Sequence, residues 1–256
     1  MNLELAGTRV LVTGGSRGIG RATVKLLAAE GANVEFCARK ESRVNDTEAE
    51  LTAVGQSAKG TAVDLSIAKA TGCWASDAIS RLGGLDVLVA NASVMATGTG
   101  DEAWEQNYRV EIASLIELVL VAGPHLKESA KRRGDAAIVA IGSTSALSAN
   151  TIDAYGAIKA ALIHSVKGLS RTLIKDGIRV NMVSPGPVYS EGGIWDKVRA
   201  DNPETFANKI AQIPLGRMGT PEEIENTVAF LCSPRARYII GTNIIDDGGR
   251  SDRPQY

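Results

Sequence analysis

Thr13-Gly14-Gly15-Ser16-Arg17-Gly18-Ile19-Gly20 is the stretch that decides how this sequence folds. An apolar, β-branched run ends at Val12, the glycines follow, and a helical pattern opens at Gly18. Glycine lets a backbone turn sharply and lets another group approach it closely. A helix N-terminus adds unbonded N–H groups and the positive end of the helix dipole. A strand, a glycine turn and a helix in this order make a cradle for the pyrophosphate of a dinucleotide. The spacing is Gly-x-x-x-Gly-x-Gly, not the commoner Gly-x-Gly-x-x-Gly. A glycine cluster alone also makes ordinary tight turns, so the flanking strand and helix carry the reading.

Outward from the turn, short β-branched runs alternate with longer helical patterns to the end of the chain. Candidate strands are 8–13, 33–38, 60–64, 85–90, 136–141, 179–183 and 242–245, and stretches such as 18–30, 104–131, 154–175 and 221–231 are long enough for helices. The alternation predicts an α/β fold, a doubly wound parallel sheet of about seven strands. Several strands are apolar almost throughout, as parallel strands covered on both faces should be. Gly31 is placed to close the first helix in the left-handed conformation. Thr220-Pro221-Glu222-Glu223 combines an N-cap hydroxyl, a first-turn proline and a capping-box glutamate. Residues 185–214 are rich in Gly, Pro and polar side chains, which predicts an irregular, substrate-covering lobe within one domain spanning 1–256.

Composition narrows the classes. With 256 residues, 44% of them hydrophobic, the chain can bury a large core, and a net charge of −1 gives no bulk attraction to nucleic acid or anionic membranes. No apolar run approaches the roughly 20 residues of a membrane span. The start, MNLELAGTRV, has no basic region followed by a long apolar stretch, so no secretory signal is expected. Cys37, Cys73 and Cys232 are widely spaced and predict reduced thiols and a cytoplasmic protein. His125 and His164 have no second ligand at metal spacing, so no metal is expected.

Tyr155 and Lys159 lie one turn apart on one face of a predicted helix. A free tyrosine has a pKa of roughly 10, and a neighbouring ammonium favours the phenolate. Such a pair suits proton exchange near neutrality. Ser143 ends the fifth strand, twelve residues before Tyr155.

Taken in order, these residues resemble the short-chain dehydrogenase/reductase family. The octapeptide resembles its TGxxxGxG turn and Tyr155-x-x-x-Lys159 its active-site pair. Asp64-Leu65 resembles its adenine-contacting pair, and Asn91-Ala92 its Asn-Asn-Ala-Gly motif. Pro185-Gly186-Pro187-Val188-Tyr189-Ser190 resembles its Pro-Gly-x-Val-x-Thr stretch, and Asp247-Gly248-Gly249 its terminal motif. The resemblance runs along nearly the whole chain. It implies a Rossmann-like fold and hydride transfer between a nicotinamide cofactor and a carbonyl or alcohol. Tyr155 would then be the general acid/base, Lys159 its partner and a ribose contact, and Ser143 a hydrogen-bond donor to the carbonyl oxygen, with Ser145 the alternative. It also implies cofactor contacts from Gly14, Ser16, Arg17, Gly18, Ile19, Gly20, Asp64, Leu65, Asn91, Ala92, Pro185, Gly186, Val188 and Ser190. Helices 104–131 and 154–175 correspond to those that pair subunits in family homotetramers, with a homodimer as the alternative. The longer tyrosine–lysine spacing of enoyl reductases is not met.

The ribose choice can be argued from charge. A carboxylate at the end of the second strand would select NAD by accepting from the ribose 2′-OH. Here that strand ends Cys37-Ala38-Arg39. Arg39 can pair with a 2′-phosphate, and Arg17 resembles the second basic position of NADP-preferring relatives. Glu35 lies mid-strand, so NADP(H) is expected.

Two departures stand out. The family asparagine on the helix after the fourth strand falls, by register from Trp104, on Glu111, with Asn107 a turn too early. A glutamate there can bond water or pair with Lys159, which predicts a modified proton relay. Ala90-Asn91-Ala92-Ser93 also lacks the motif's first asparagine and its glycine. Both departures suit an alternative, an NADP(H)-binding regulatory or scaffold protein with impaired catalysis, against which Ser143, Tyr155 and Lys159 weigh. Tyr189 and Trp195 are candidate substrate contacts, each equally a hydrophobic anchor. No cation cluster is plainly aimed at a pocket, which leaves a small or medium-sized ketone, aldehyde or secondary alcohol as the partner.

Overall fold

The computed structural model describes residues 2–147, 149 and 152–252. Seven strands, β1 (Arg9–Thr13), β2 (Asn33–Ala38), β3 (Ala58–Ala62), β4 (Val87–Ala90), β5 (Ala136–Ile141), β6 (Ile178–Pro185) and β7 (Asn243–Asp246), form one parallel sheet in the order β3-β2-β1-β4-β5-β6-β7. The expected doubly wound sheet is therefore present, with the third strand two residues earlier than predicted. The chain reverses its direction of travel across the sheet between β1 and β4. In such sheets the crevice at the carboxyl ends of those two strands receives the ligand.

Apolar side chains fill both faces. On one, α1 (Gly18–Ala29) and α9 (Pro221–Cys232) pack Val24, Leu27, Val228 and Leu231 against Val10, Val12 and Val139. On the other, α3 (Ala70–Leu82), α5 (Ser114–Arg133) and α6 (Ala154–Leu173) pack Trp74, Ile79, Leu118, Leu126 and Leu162 against Leu11, Leu88 and Ile138. Helix α2 (Glu41–Ala53) lies beside β3, with Val44 so close to Gly60 that any side chain there would overlap it. Gly31 has φ +80° just past α1, and the Thr220–Glu223 capping box opens α9, both as the sequence predicts.

Two helical expectations change. The stretch 104–131 is not one helix: α4 (Asp101–Asn107) passes through a π-helical turn, Tyr108–Ala113, into α5. Residues 185–214, read as irregular, contain α7 (Ile194–Asp201) and α8 (Pro203–Ala211), although neither holds a fully buried residue. Asn202 accepts from Thr205 N at 3.0 Å and Pro203 sits in the first turn, which fixes where α8 starts. Both helices are short and lie in a stretch rich in Gly, Pro and polar residues, which hid them in the sequence. At the amino-terminal end of the sheet, Asp86 accepts from Arg9, Ser129 and Arg132 at 2.6 to 2.9 Å, far from the crevice. No helix among the described residues is long and apolar enough to cross a membrane.

Candidate active site

The crevice begins where β1 and β4 end. The backbone N–H groups of Asn91 and Ala92 each donate to Thr13 Oγ1 at 3.0 Å. The Asn91 amide donates to the carbonyls of Thr13 at 2.9 Å and Gly14 at 3.2 Å. This clamp explains two glycines. Gly14 has φ +69°, and a Cβ there would lie 2.9 Å from the Ala92 backbone. A Cβ on Gly20 would overlap both the Asn91 amide and the Gly14 carbonyl. Helix α1 thus starts directly above the clamp, with no side-chain cap and no acidic residue in its first turn, leaving its N–H groups open to an anion.

A cleft of about 1180 Å³ runs across the carboxyl ends of the strands. Of the sequence-predicted cofactor residues, Gly14, Ser16, Arg17, Gly18, Ile19, Gly20, Arg39, Asp64, Leu65, Asn91, Ala92, Pro185, Gly186, Val188 and Ser190 all line it. At the β2 end stand Arg17, Arg39 and a third guanidinium, Arg43 on α2. Burial holds the Arg17 guanidinium below its usual pKa, and the charges of Arg43 and Arg39 push the same way. None of the three forms an ion pair among the described residues. Three guanidiniums gathered with no ion pair among the described residues leave this end of the cleft positively charged. Glu35 does not interfere, because both its oxygens accept from Arg81, at 2.9 and 2.7 Å. Asp64 is held below the usual carboxylate range, first by hydrogen bonds from Ser66 and further by the charge of Arg39. Burial pushes the Cys37 thiol up to about 12, so it is inert.

Midway along the cleft, α6 presents Tyr155 and Lys159. Asp153 fixes its start by accepting from Gly156 N and, across the loop, from Gly98 N, both at 3.0 Å. Lys159 Nζ lies 5.7 Å from the Tyr155 ring centroid. It donates to the Ile141 carbonyl at 2.7 Å and to Glu111 Oε2 at 2.6 Å. Glu111 comes from the π-helical turn, lies behind Lys159 and does not line the cleft; its Oε1 is buried without a partner among the described residues. Asn107 is spent elsewhere, donating to the carbonyls of Ala96 at 2.6 Å and Ala103 at 2.9 Å. Ser143 follows β5 and accepts from Ser145 N at 3.1 Å, so its own hydroxyl proton is free to point into the cleft. Ser143, Ser145, Tyr155 and Lys159 all line the cleft, as does Ser93, whose hydroxyl has no partner among the described residues.

At the β6–β7 end, Trp195 lines the cleft but Tyr189 does not. Tyr189 donates to Asp196 at 2.6 Å and packs edge-on against Phe206 at 6.2 Å between centroids. Its place is therefore in the anchoring of the lobe rather than on a substrate. The expectation that no cation cluster faces the pocket is corrected too: Lys197, Lys209 and Arg250 line it. They lie on α7, α8 and the segment past β7, a grouping that only folding produces. Arg43 carried a sequence signal, four residues beyond Arg39, but only once α2 is known.

A family model described as enoyl-(acyl carrier protein) reductase matches residues 14–251. Isoepoxydon dehydrogenase of Penicillium expansum is 38% identical, over 96% of this chain and 95% of that protein. 3-Oxoacyl-[acyl-carrier-protein] reductase of Vibrio cholerae is 34% identical, over 97% of this chain and 98% of its own length. The crystal structure of L-sorbose reductase from Gluconobacter frateurii, complexed with NADPH and L-sorbose, superposes with a TM-score of 0.89 at 29% identity, covering 99% of this chain and 100% of that one. Matched in sequence over almost its full length and in fold throughout, the chain belongs to the short-chain dehydrogenase/reductase family.

Proposed function

We propose that the protein is an NADP(H)-dependent oxidoreductase that interconverts a ketone or aldehyde and its alcohol, with Tyr155 as general acid/base. The observation that carries this reading is one continuous cleft holding the glycine turn, three unpaired arginines, and Ser143, Tyr155 and Lys159. The residues present fit the cofactor. Gly14 and Gly20 leave no room for a side chain where the turn closes on Asn91, and the open N-terminus of α1 suits a pyrophosphate. Arg17, Arg39 and Arg43 suit the extra phosphate of NADP. Asp64 and Leu65 would border the adenine, and Pro185, Gly186, Val188 and Ser190 the nicotinamide. The bound nicotinamide supplies or accepts the hydride.

The chain's own residues manage the oxygen of the substrate. In reduction, Tyr155 Oη gives its proton to the nascent alkoxide while the Ser143 hydroxyl donates a hydrogen bond to the same oxygen; in oxidation Tyr155 Oη takes that proton back and Ser143 donates as before. The Lys159 ammonium lies beside the ring, 5.7 Å from its centroid, where it faces the negative charge that arises on Oη during proton transfer. Glu111 is a positioning residue, since it reaches the reaction through Lys159 alone. The lobe 185–214, with Trp195, would cover the substrate and exclude water.

NADPH oxidation against a panel of ketones and aldehydes tests this reading, with Tyr155→Phe as control. Turnover should fall by about 10²–10⁴-fold in the variant while NADPH binding persists. Tight NADPH binding with no turnover of any substrate would favour a regulatory or scaffold protein instead. We read the assembly as a homotetramer, with a homodimer as the alternative. Exposed Ile116 and Leu120 on α5 support an assembled form, and light scattering measures it.

A further inference from the structure

We infer that Lys209 and Arg250 form a subsite for an oxyanion, a carboxylate or phosphate, carried by the substrate at the end remote from its reacting carbonyl. The inference rests on the oxidoreductase reading and names the substrate class that this cleft would take.

Lys209 Nζ and Arg250 Nη2 both donate to one neutral atom, Gln212 Oε1, at 3.4 and 3.3 Å. A single amide oxygen holding two cations neutralises neither. The Nε of Arg250 is buried and has no hydrogen-bond partner among the described residues. Of the acidic side chains that flank it in sequence, Asp247 accepts from the backbone N–H of Gly249, Arg250 and Ser251, and neither it nor Asp252 forms an ion pair among the described residues. No carboxylate among the described residues lies within ion-pair distance of Lys209, Arg250 or Lys197, which lines the same cleft. Burial and the charge of Arg250 both hold the Lys209 ammonium below its usual pKa, as expected of a cation waiting for an anion. Trp195 braces the site, with Lys209 Nζ 5.8 Å from its ring.

Position separates this pair from the cofactor. The order of the sheet puts Arg17, Arg39 and Arg43 at the β2 side, the glycine turn at β1–β4 and Ser143 after β5. Lys209 and Arg250 stand beyond these, on the lobe and past β7. A dinucleotide laid from the arginine cluster to Tyr155 leaves them facing whatever is bound next to it.

The test uses the NADP⁺-loaded protein and three oxo acids, 4-oxopentanoate, 5-oxohexanoate and 6-oxoheptanoate, each paired with its methyl ester. Calorimetry measures binding without turnover, and fluorescence gives the NADPH Kd. At least one acid should bind the unaltered protein about tenfold or more tighter than its ester, and Arg250→Gln and Lys209→Gln should each erase most of that preference. Equal binding of every acid and ester overturns the inference. So does a loss of NADPH affinity with the acid preference intact, which would assign the cations to the cofactor's phosphates. An acid preference that both variants lose, in a protein that turns over no ketone, would support the subsite and overturn the oxidoreductase reading alone.

Discussion

The ammonium of Lys159 donates to Glu111 Oε2 at 2.6 Å, with both side chains only 2% exposed. A buried pair of this kind costs desolvation, and removing one partner strands the other charge. Glu111→Ala should therefore destabilise the protein by about 3–5 kcal/mol, read by denaturant unfolding. Glu111→Asn keeps an acceptor and should fold. Losing the carboxylate removes the negative partner of the Lys159 ammonium, so the reduction rate and its pH profile should both change. An unchanged rate and pH profile in Glu111→Asn would show that the carboxylate has no part in the relay.

Arg39 and Arg43 should set the nucleotide preference. A lost hydrogen bond to a charged phosphate is worth roughly 1.5–3 kcal/mol, or about 10–150-fold in affinity. Arg39→Gln should raise the NADPH Kd within that range and leave NADH binding nearly as it was. Arg43→Gln should act in the same direction. Equal use of NADH and NADPH by the unaltered protein would refute the phosphate site.

Gly20 and Gly18 offer a contrast within one turn. At Gly20 a methyl group overlaps the Asn91 amide and the Gly14 carbonyl, whereas at Gly18 it meets only Ser190 Oγ at 4.0 Å. Gly20→Ala should break the β1–β4 clamp and weaken NADPH binding about tenfold or more, along with a loss of several kcal/mol in stability. Gly18→Ala has only its φ of +50° to overcome, about 1 kcal/mol. Comparable effects of the two would mean that the clamp does not position the cofactor site.

Glu225, half-buried on α9, makes stability depend on pH. Burial, reinforced by the neighbouring Glu222, pushes its pKa up to about 7 from 4.5. A carboxyl whose folded pKa is raised costs nothing below its unfolded pKa and destabilises progressively as pH climbs from about 4.5 through 7. Glu225→Gln should match the parent near pH 4.5 and exceed it at pH 8. Solvent screening keeps the gain to about 1 kcal/mol, or roughly 2–4 °C in Tm. A higher Tm at pH 4.5 alone would contradict this.

Local signals and global ones were legible to different degrees. The glycine turn, the seven strands and the α9 capping box each sit within a short window, where spacing and residue type constrain the backbone. The grouping of Ser143, Tyr155 and Lys159 along one cleft was readable for the same reason, since a strand end and one helical turn place all three. Lys209 and Arg250 lie 41 positions apart in the chain and meet only through the packing of α8 against the segment after β7. No local pattern announces that. Tyr189 misled because an aromatic beside a cofactor motif looks like a substrate contact until Asp196 and Phe206 are seen to claim it. The helix break at Tyr108–Ala113 was hidden because its residues, Tyr-Arg-Val-Glu-Ile-Ala, suit an ordinary α-helix.

That break has a bearing on how related chains are compared. A π-helical turn accommodates one residue more than the α-helix around it. Deleting any one residue of Tyr108–Ala113 would let α4 and α5 merge into a continuous rod, with the helix content almost unchanged. The flanking helices would keep their register, so the change would be confined to the turn that presents Glu111 and to its contact with Lys159. A single-residue alignment gap at this point is thus a marker of altered chemistry, even between proteins whose folds superpose throughout.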